Sequence, residues 1–216
     1  MKKLLLTVLL GLAISVSMSA QIFVGGQLGI NATSNTDKNV NPVVTTSNTT
    51  VSVLPNVGYI LNDKMLVGAR VGLNFGSTGA NNSTFGLGLQ PYLRYKVLNI
   101  GKFSLAAEAN VGIATSTTTN KIGGVGVNKV SNFNFSLGAV PVVLYQLNEH
   151  IALEADINVL NFDLGFGSVK ETNTPEGGNA FTVRDEGDFN LGLGANSNNI
   201  FGAGLGAVIV GFTYAF

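Results

Sequence analysis

The sequence predicts an all-β protein: an eight-stranded, antiparallel, up-and-down barrel. Three observations carry that prediction. Apolar residues recur at every second position over windows of ten residues or more. The connections between these windows alternate between short turns and long polar stretches. No run beyond the first twenty residues approaches eighteen consecutive apolar positions, which excludes helical spans.

Period two places successive side chains on opposite faces of a strand. In MLVGARVGLNFG, Met65, Val67, Ala69, Val71, Leu73 and Phe75 share one face, and Leu66, Gly68, Arg70, Gly72, Asn74 and Gly76 share the other. In FSLAAEANVGIA the apolar set is Phe103, Leu105, Ala107, Ala109, Val111 and Ile113. Eight candidate strands follow in order, at about 21–31, 50–61, 65–76, 84–96, 103–115, 132–147, 150–162 and 200–216. Each is long enough to cross a bilayer when tilted, which takes roughly 9–11 residues.

The turns LNDK, VLNIGK and LNEH are short and of Asn/Asp/Gly type. NATSNTDKNVNPVVTTSNTT and the stretch 163–199 read as long polar loops, and GGVGVNKV from Gly123 as a flexible one. Short turns at one end and long loops at the other are the plan of a bacterial outer-membrane barrel, with short periplasmic turns and long extracellular loops. Three hairpins also repeat: Pro55, Pro91 and Pro141 align, as do Tyr59, Tyr95 and Tyr145. The tyrosines fall on the apolar face beside the short turns, where a periplasmic aromatic girdle belongs. The prolines lack the N–H a ladder needs and imply a bulge or a missing bond.

Alternation alone does not say which face looks outward. The second face is Gly, Ser, Ala and Asn with few charges, a poor aqueous exterior and a good barrel lining. Only 11% of residues are charged while 28 are glycine, which fits a lipid-facing exterior better than a water-facing one. The opening MKKLLLTVLLGLAISVSMSA has two lysines, an apolar stretch and small residues at Ser17, Ser19 and Ala20. It reads as a cleaved secretory signal over 1–20, leaving 21–216 as the barrel domain. Loss of Lys2 and Lys3 takes twelve basic residues to ten against twelve acidic ones, and nothing in that balance points to nucleic acid. The absence of cysteine removes disulfides and thiol chemistry.

The segment AVIVGFTYAF sets Val208, Val210, Phe212, Tyr214 and Phe216 on one face. It resembles the C-terminal assembly signal of Gram-negative outer-membrane proteins. With the leader and eight strands, the chain resembles the small outer-membrane β-barrel family, similar in plan to the membrane part of outer membrane protein A and to outer membrane protein X. That resemblance implies a transmembrane barrel in the outer membrane, with outer-membrane lipids around it. It also implies that Phe216, Tyr214 and Phe212 are read by the barrel assembly machinery.

The repeat places Arg70, Glu108 and Asp156 at equivalent positions on the non-lipid face, with Glu154 and Arg94 nearby. A charge inside a narrow barrel needs a partner or water, so these five are expected to form an interior ion network. Val140, Val142, Leu144, Ile60 and Leu66 are also inward and form an apolar plug, or a slot for a small apolar ligand, at the periplasmic end. His150, the single histidine, lies in a turn with no Ser-His or Asp-His pair to assemble, so no enzyme is read. Asp185 to Asp188 (DEGD) lacks the spacing of a calcium loop and reads as a solvated acidic patch. No cofactor or metal is expected. The function expected is a structural or surface-interaction role, of adhesion type, through loops that meet a host or cell-surface ligand. The alternative is a narrow channel or conduit for ions or a small apolar ligand.

Overall fold

A computed structural model describes residues 21–37, 44–78, 81–122, 126–157, 161–194 and 208–216; the leader assigned to 1–20 lies outside these residues. Among the described residues there are ten strands: β1 (Gln21–Asp37), β2 (Val44–Ile60), β3 (Met65–Thr78), β4 (Asn82–Ile100), β5 (Phe103–Ile122), β6 (Gly126–Gln146), β7 (Ile151–Ile157), β8 (Asn161–Pro175), β9 (Phe181–Gly194) and β10 (Val208–Ala215). All neighbours pair antiparallel. Strands β1 to β6 follow one another around the sheet. Both β7 and β8 pair with β6, at 142–146 and 126–139, so together they form its seventh stave. Along that stave lie β10 and β9, which form the eighth. Pairing of β10 with β1, from Phe23↔Ala215 to Leu28↔Val210, closes the barrel. Eight staves in an up-and-down order is the architecture that the alternation predicts.

The strands are longer than the sequence suggests. The stretch 163–199 is not a loop through most of its length: β8 and β9 occupy it as a hairpin turning at 176–180. Phe162, Leu164 and Phe166 keep period two with Asp163 and Gly165 between them, and so do Phe189, Leu191 and Leu193 with Asn190 and Gly192. The polar composition masks that pattern. The stretch after Ile30 likewise holds the ends of β1 and β2, paired as far as Asp37↔Val44. From GGVGVNKV, 126–130 opens β6, while 123–125 lies outside the described residues. In the last predicted strand, 200–207 lies outside them too. Threonine and asparagine carry these extensions through cross-strand side-chain bonds, such as Thr84 to Thr118 at 2.8 Å and Asn120 to Asn128 at 3.2 Å.

The short turns are built by their asparagines and one glycine. Asn62 Oδ1 accepts from the amides of Lys64 and Met65, both at 2.9 Å. Asn148 Oδ1 does the same for His150 and Ile151, at 2.9 and 2.8 Å. These are side-chain caps on tight turns. Between β4 and β5 the turn shrinks to Gly101 and Lys102, because β4 continues to Ile100 through a bulge at Lys96/Leu98. Gly101 takes φ 60°, a left-handed conformation that favours glycine.

Each repeated proline interrupts one ladder and spares the other. Toward the preceding strand, Gly26↔Pro55, Ala69↔Pro91 and Ala107↔Pro141 stay in register. Toward the following strand the β2–β3 ladder passes from Val53↔Leu73 to Asn56↔Arg70, skipping Leu54 and Pro55. The β4–β5 ladder skips Gln90 and Pro91 in the same way. Pairing of β6 with its seventh-stave partner moves from Ala139↔Phe162 to Val142↔Asp156; Pro141 has no pair there with Ile157, and 158–160 lie outside the described residues. A missing N–H costs one ladder its bonds locally, and the closed sheet tolerates three such sites.

The faces are sorted as a barrel with an apolar exterior. Leu28, Val57, Leu89, Ile113, Leu153 and Val210 are all exposed, whereas Arg70, Arg94, Glu108 and Glu154 are about 2% exposed or less. Outward aromatics gather at two levels. Tyr59, Tyr95, Tyr145 and Tyr214 lie near the short turns, and Phe103 packs at a tilt against Tyr145, their rings 4.6 Å apart. Toward the other end, Phe75 pairs with Phe85 at 5.6 Å, and Phe166 stands between Phe135 at 6.5 Å and Phe189 at 5.1 Å. Tyr95 and Phe85 are ten residues apart on β4. At about 3.3 Å per residue and a tilt of roughly 40°, the two levels stand about 25 Å apart.

Candidate functional site: the ionic centre of the barrel

All five charged positions expected in the interior come together at one level of the lumen. Arg70, on β3, is flanked by Asn56 and Gln90. Arg94 on β4 pairs directly with Glu108 on β5, while Glu154 and Asp156 project from β7. Inward positions on several different staves therefore meet across a width that side chains can fill.

Glu108 is the hub. Arg70 grips it with both terminal nitrogens: Nη1 contacts Oε1, and Nη2 donates to Oε2 at 2.7 Å. Arg94 donates to the same Oε2 from Nε at 3.1 Å and from Nη2 at 2.8 Å. Its remaining arm, Nη1, reaches Glu154 Oε2 at 2.7 Å. Such charge-assisted, bidentate bonds are the strong class of hydrogen bond. Asp156 stands further off, with Oδ2 at 3.9 Å from Arg70 Nη2.

Three further members carry no charge, and sequence reasoning passes over them. Gln27 Nε2 donates to Glu154 Oε1 at 3.0 Å and to Asp156 Oδ2 at 2.9 Å, bridging two carboxylates across the closing seam. Thr213 Oγ1 donates to Glu154 Oε2 at 3.2 Å. The Tyr92 ring lies under both cations, 4.1 Å from the Arg70 guanidinium and 5.4 Å from that of Arg94. The signal for Gln27 and Tyr92 is present in the alternation, since both stand on inward positions of their strands. Among the described residues, four buried polar atoms find no protein partner: both amide atoms of Asn56, Arg70 Nε and Asp156 Oδ1.

Below the ionic layer, toward the short turns, the lumen is apolar. Phe23, Leu66, Tyr92 and Ala215 form one buried cluster with Ile60 against it, and Ala106, Val142 and Leu144 form another beside Val140. Above it, Ser52 donates to Asn74 at 3.3 Å, and Leu54 packs with Ala114.

The remaining candidates lie apart from this centre. His150 is in the β6–β7 turn, where its ring contacts the Ala215 carbonyl at 2.9 Å and stacks on Tyr214 at 5.8 Å. Its backbone oxygen accepts from the Ala215 amide at 2.8 Å. Phe216 meets Tyr214 edge-on at 5.0 Å, and its amide donates to Ile22 at 3.0 Å. Phe212 is exposed on the outer wall, opposite Leu153. Asp185, Glu186 and Asp188 are exposed on β9, with Glu186 paired to Arg184 at 2.6 Å. Among the described residues, no group of three or more His, Cys, Asp or Glu side chains is arranged to hold a metal.

No protein-family model and no curated protein matches the chain. Among solved structures it is similar to Neisserial surface protein A, with 11% identity and a TM-score of 0.43 over 92% of this chain and all of that one. It is similar to the translocator domain of the autotransporter NalP from Neisseria meningitidis, with 10% identity and a TM-score of 0.47 over 88% of this chain and 66% of that one. A major outer membrane protein from Thermus thermophilus matches over 92% of this chain and all of that one, at 13% identity and a TM-score of 0.41. At such values the likenesses carry no argument about what the chain does. What the geometry itself establishes is a closed eight-stranded antiparallel barrel with an apolar outer wall and an ion-paired core.

Proposed function

We propose that the chain is an integral outer-membrane barrel whose role is surface interaction, carried by the strands that rise beyond the phenylalanine level. Exposed aliphatic residues between two aromatic levels suit a hydrocarbon core of matching height. A closed sheet satisfies its backbone groups internally, as lipid demands. The observation that carries the interaction role is β9. Every residue from 181 to 189 is exposed, on both faces of the strand, and among the described residues β9 pairs only with β8. Phe181 and Val183 are more than half exposed near its start. The sheet of β5, β6, β8 and β9 thus presents apolar, acidic and hydroxyl side chains together. The test is attachment of cells displaying the full barrel to host-cell surfaces, against cells displaying a variant with the β8–β9 hairpin shortened around 170–187. Equal attachment at equal surface levels overturns the interaction role.

A narrow conduit is the second reading, favoured by the four unpartnered polar atoms beside the ionic layer. Polar atoms of this kind are normally satisfied by water, and water in the lumen is what an ion path needs. Planar-bilayer recording on refolded barrel tests it: discrete conductance steps support the conduit, and a silent barrel overturns it.

A further inference from the structure

The charges of the ionic centre do not balance. Arg70 and Arg94 bring two positive charges, while Glu108, Glu154 and Asp156 bring three negative ones, and all five residues are 6% exposed or less. The next inward cation along β4 is Lys96, opposite Ala106. It is half-buried and, among the described residues, pairs with none of the three carboxylates. Nor are the carboxylates held alike. Glu108 accepts four bonds from the two guanidiniums, and Glu154 accepts from Arg94, Gln27 and Thr213. Asp156 accepts from the neutral Gln27 amide alone and stands 3.9 Å from Arg70, and its Oδ1 has no partner. Its partners in register, Val142 on β6 and Ile209 on β10, carry no charge. Across the lumen it faces Arg70 of β3, Arg94 of β4 with Tyr92 beneath both arginines, and Glu108 of β5, and Glu154 is its neighbour on β7. Asn56 lies at the same level, paired with Arg70 on one side and Gly25 on the other, and both its amide atoms lack a partner. Its Oδ1 leans over Gly25, toward the closing seam: a Cβ there would stand 2.8 Å away.

We infer that the folded centre binds one proton, held by the set of three carboxylates and resting on Asp156 Oδ1. An uncompensated charge in a closed interior is strongly disfavoured, and a proton is the smallest cation that removes it. With it the five side chains sum to zero. Oδ1 then turns from an acceptor without a donor into a donor, at the level where the Asn56 oxygen lacks one. Carboxylates this closely coupled titrate as a set, and the contacts assign the proton to the member with the fewest. The inference stands on the ionic centre alone and needs neither function proposed above. Its consequence is a barrel that responds to pH from inside. The unfolded chain releases the Asp156 proton near an ordinary aspartate value, about 3.9, whereas the folded chain keeps it. Above that value the folded state holds more protons than the unfolded one, so this residue's contribution to stability falls as pH rises.

Infrared spectra of the full barrel refolded in detergent at about pH 6, where a solvated aspartate is ionised, test the proton directly. The wild type should show the carbonyl band of a protonated carboxylic acid, shifted in heavy water and absent from Asp156→Asn. Urea unfolding of the two proteins gives the second readout. Between about pH 5 and pH 6 the unfolding constant of the wild type should rise about five- to ten-fold relative to that of Asp156→Asn, one proton being worth at most ten-fold per pH unit. A wild type without the band overturns the proton site, and this holds even if the variant fails to refold. A constant ratio of the two unfolding constants overturns it as well. A band that persists in Asp156→Asn overturns the assignment to Asp156 and moves the proton to Glu108 or Glu154. Stability that rises with sodium at fixed ionic strength, with no band, overturns the proton in favour of a metal cation.

Discussion

Gly68 is what lets Tyr92 cross the lumen. A Cβ at position 68 would stand 2.8 Å from the Tyr92 hydroxyl and 3.0 Å from the ring of Phe23. Gly58, paired with Gly68, is equally constrained, with the Phe23 ring 2.6 Å from where its Cβ would be. Two glycines thus make room for two aromatic rings, and one ring supports both arginines of the ionic layer. Gly68→Val should cost about 1–3 kcal/mol through overpacking and displace Tyr92 from beneath Arg70. Urea unfolding of the refolded barrel in detergent gives the first effect. Protection of interior amides from hydrogen exchange gives the second. A variant as stable as the wild type would show that the lumen is looser than this packing.

Arg70 holds its partners so completely that removing it strands them. Glu108 would lose two of its four hydrogen bonds, and Asp156 its nearest cation. Arg70→Ala should destabilise the barrel by about 3–5 kcal/mol if the centre is dry, and by less if water enters the space. Gln27→Leu, which removes the neutral bridge between Glu154 and Asp156, should cost about 1–3 kcal/mol. Because both residues serve one network, the double variant should cost less than the sum of the singles. Strict additivity in unfolding titrations would argue that the two sides of the lumen act independently.

Much of this arrangement is legible in the sequence, and the reasons differ by residue. Period two in β3 and β5 places Arg70 and Glu108 inward, since one residue of slip would turn every apolar side chain to the lumen. Gln27 and Tyr92 are equally placed by their strands, yet Gln27 carries no charge to draw notice and Tyr92 hides among outward tyrosines. Hydrogen-bond partners across the lumen depend on which staves oppose one another, and only closure through β10 fixes that. β8 and β9 read as loop because Thr, Asn, Ser, Gly and charged residues interrupt their apolar positions. Their strand character comes from ladder pairing and from Phe166 between Phe135 and Phe189, contacts that a linear pattern does not contain.

Phe216 and Tyr214 sit together at the seam, with His150 stacked on the second of them. The resemblance to an assembly signal implies that these rings are read before the barrel closes. Phe216→Asp should therefore lower the amount of assembled barrel in cells several-fold while changing the stability of refolded protein by no more than about 1 kcal/mol, because the residue stands at the level of the short turns, near the interface, where a charge on the outer wall costs little. Cell-surface quantification and in vitro unfolding separate the two. Equal surface levels would reduce the segment to an ordinary strand.

The apolar wall makes a prediction graded by depth. Leu89 lies on the outer face of β4 between the two aromatic levels, four residues from Phe85 and six from Tyr95. In a bilayer, an arginine at the midplane of a barrel's lipid face costs about 2–4 kcal/mol, falling to about 0–1 kcal/mol near the interfaces. Leu89→Arg should thus destabilise the barrel by several-fold more than Phe85→Arg or Tyr95→Arg, even though Phe85 is the bulkier side chain. In detergent micelles the contrast should shrink, since a micelle adapts its thickness and admits water to the wall. If the outer face were instead packed against water or protein, the cost would follow the apolar area lost and be greatest at the aromatic positions. Unfolding measurements on the three variants in vesicles of one lipid composition decide between these orders. A cost that peaks at Phe85 or Tyr95 rather than at Leu89 would overturn the assignment of this wall to lipid.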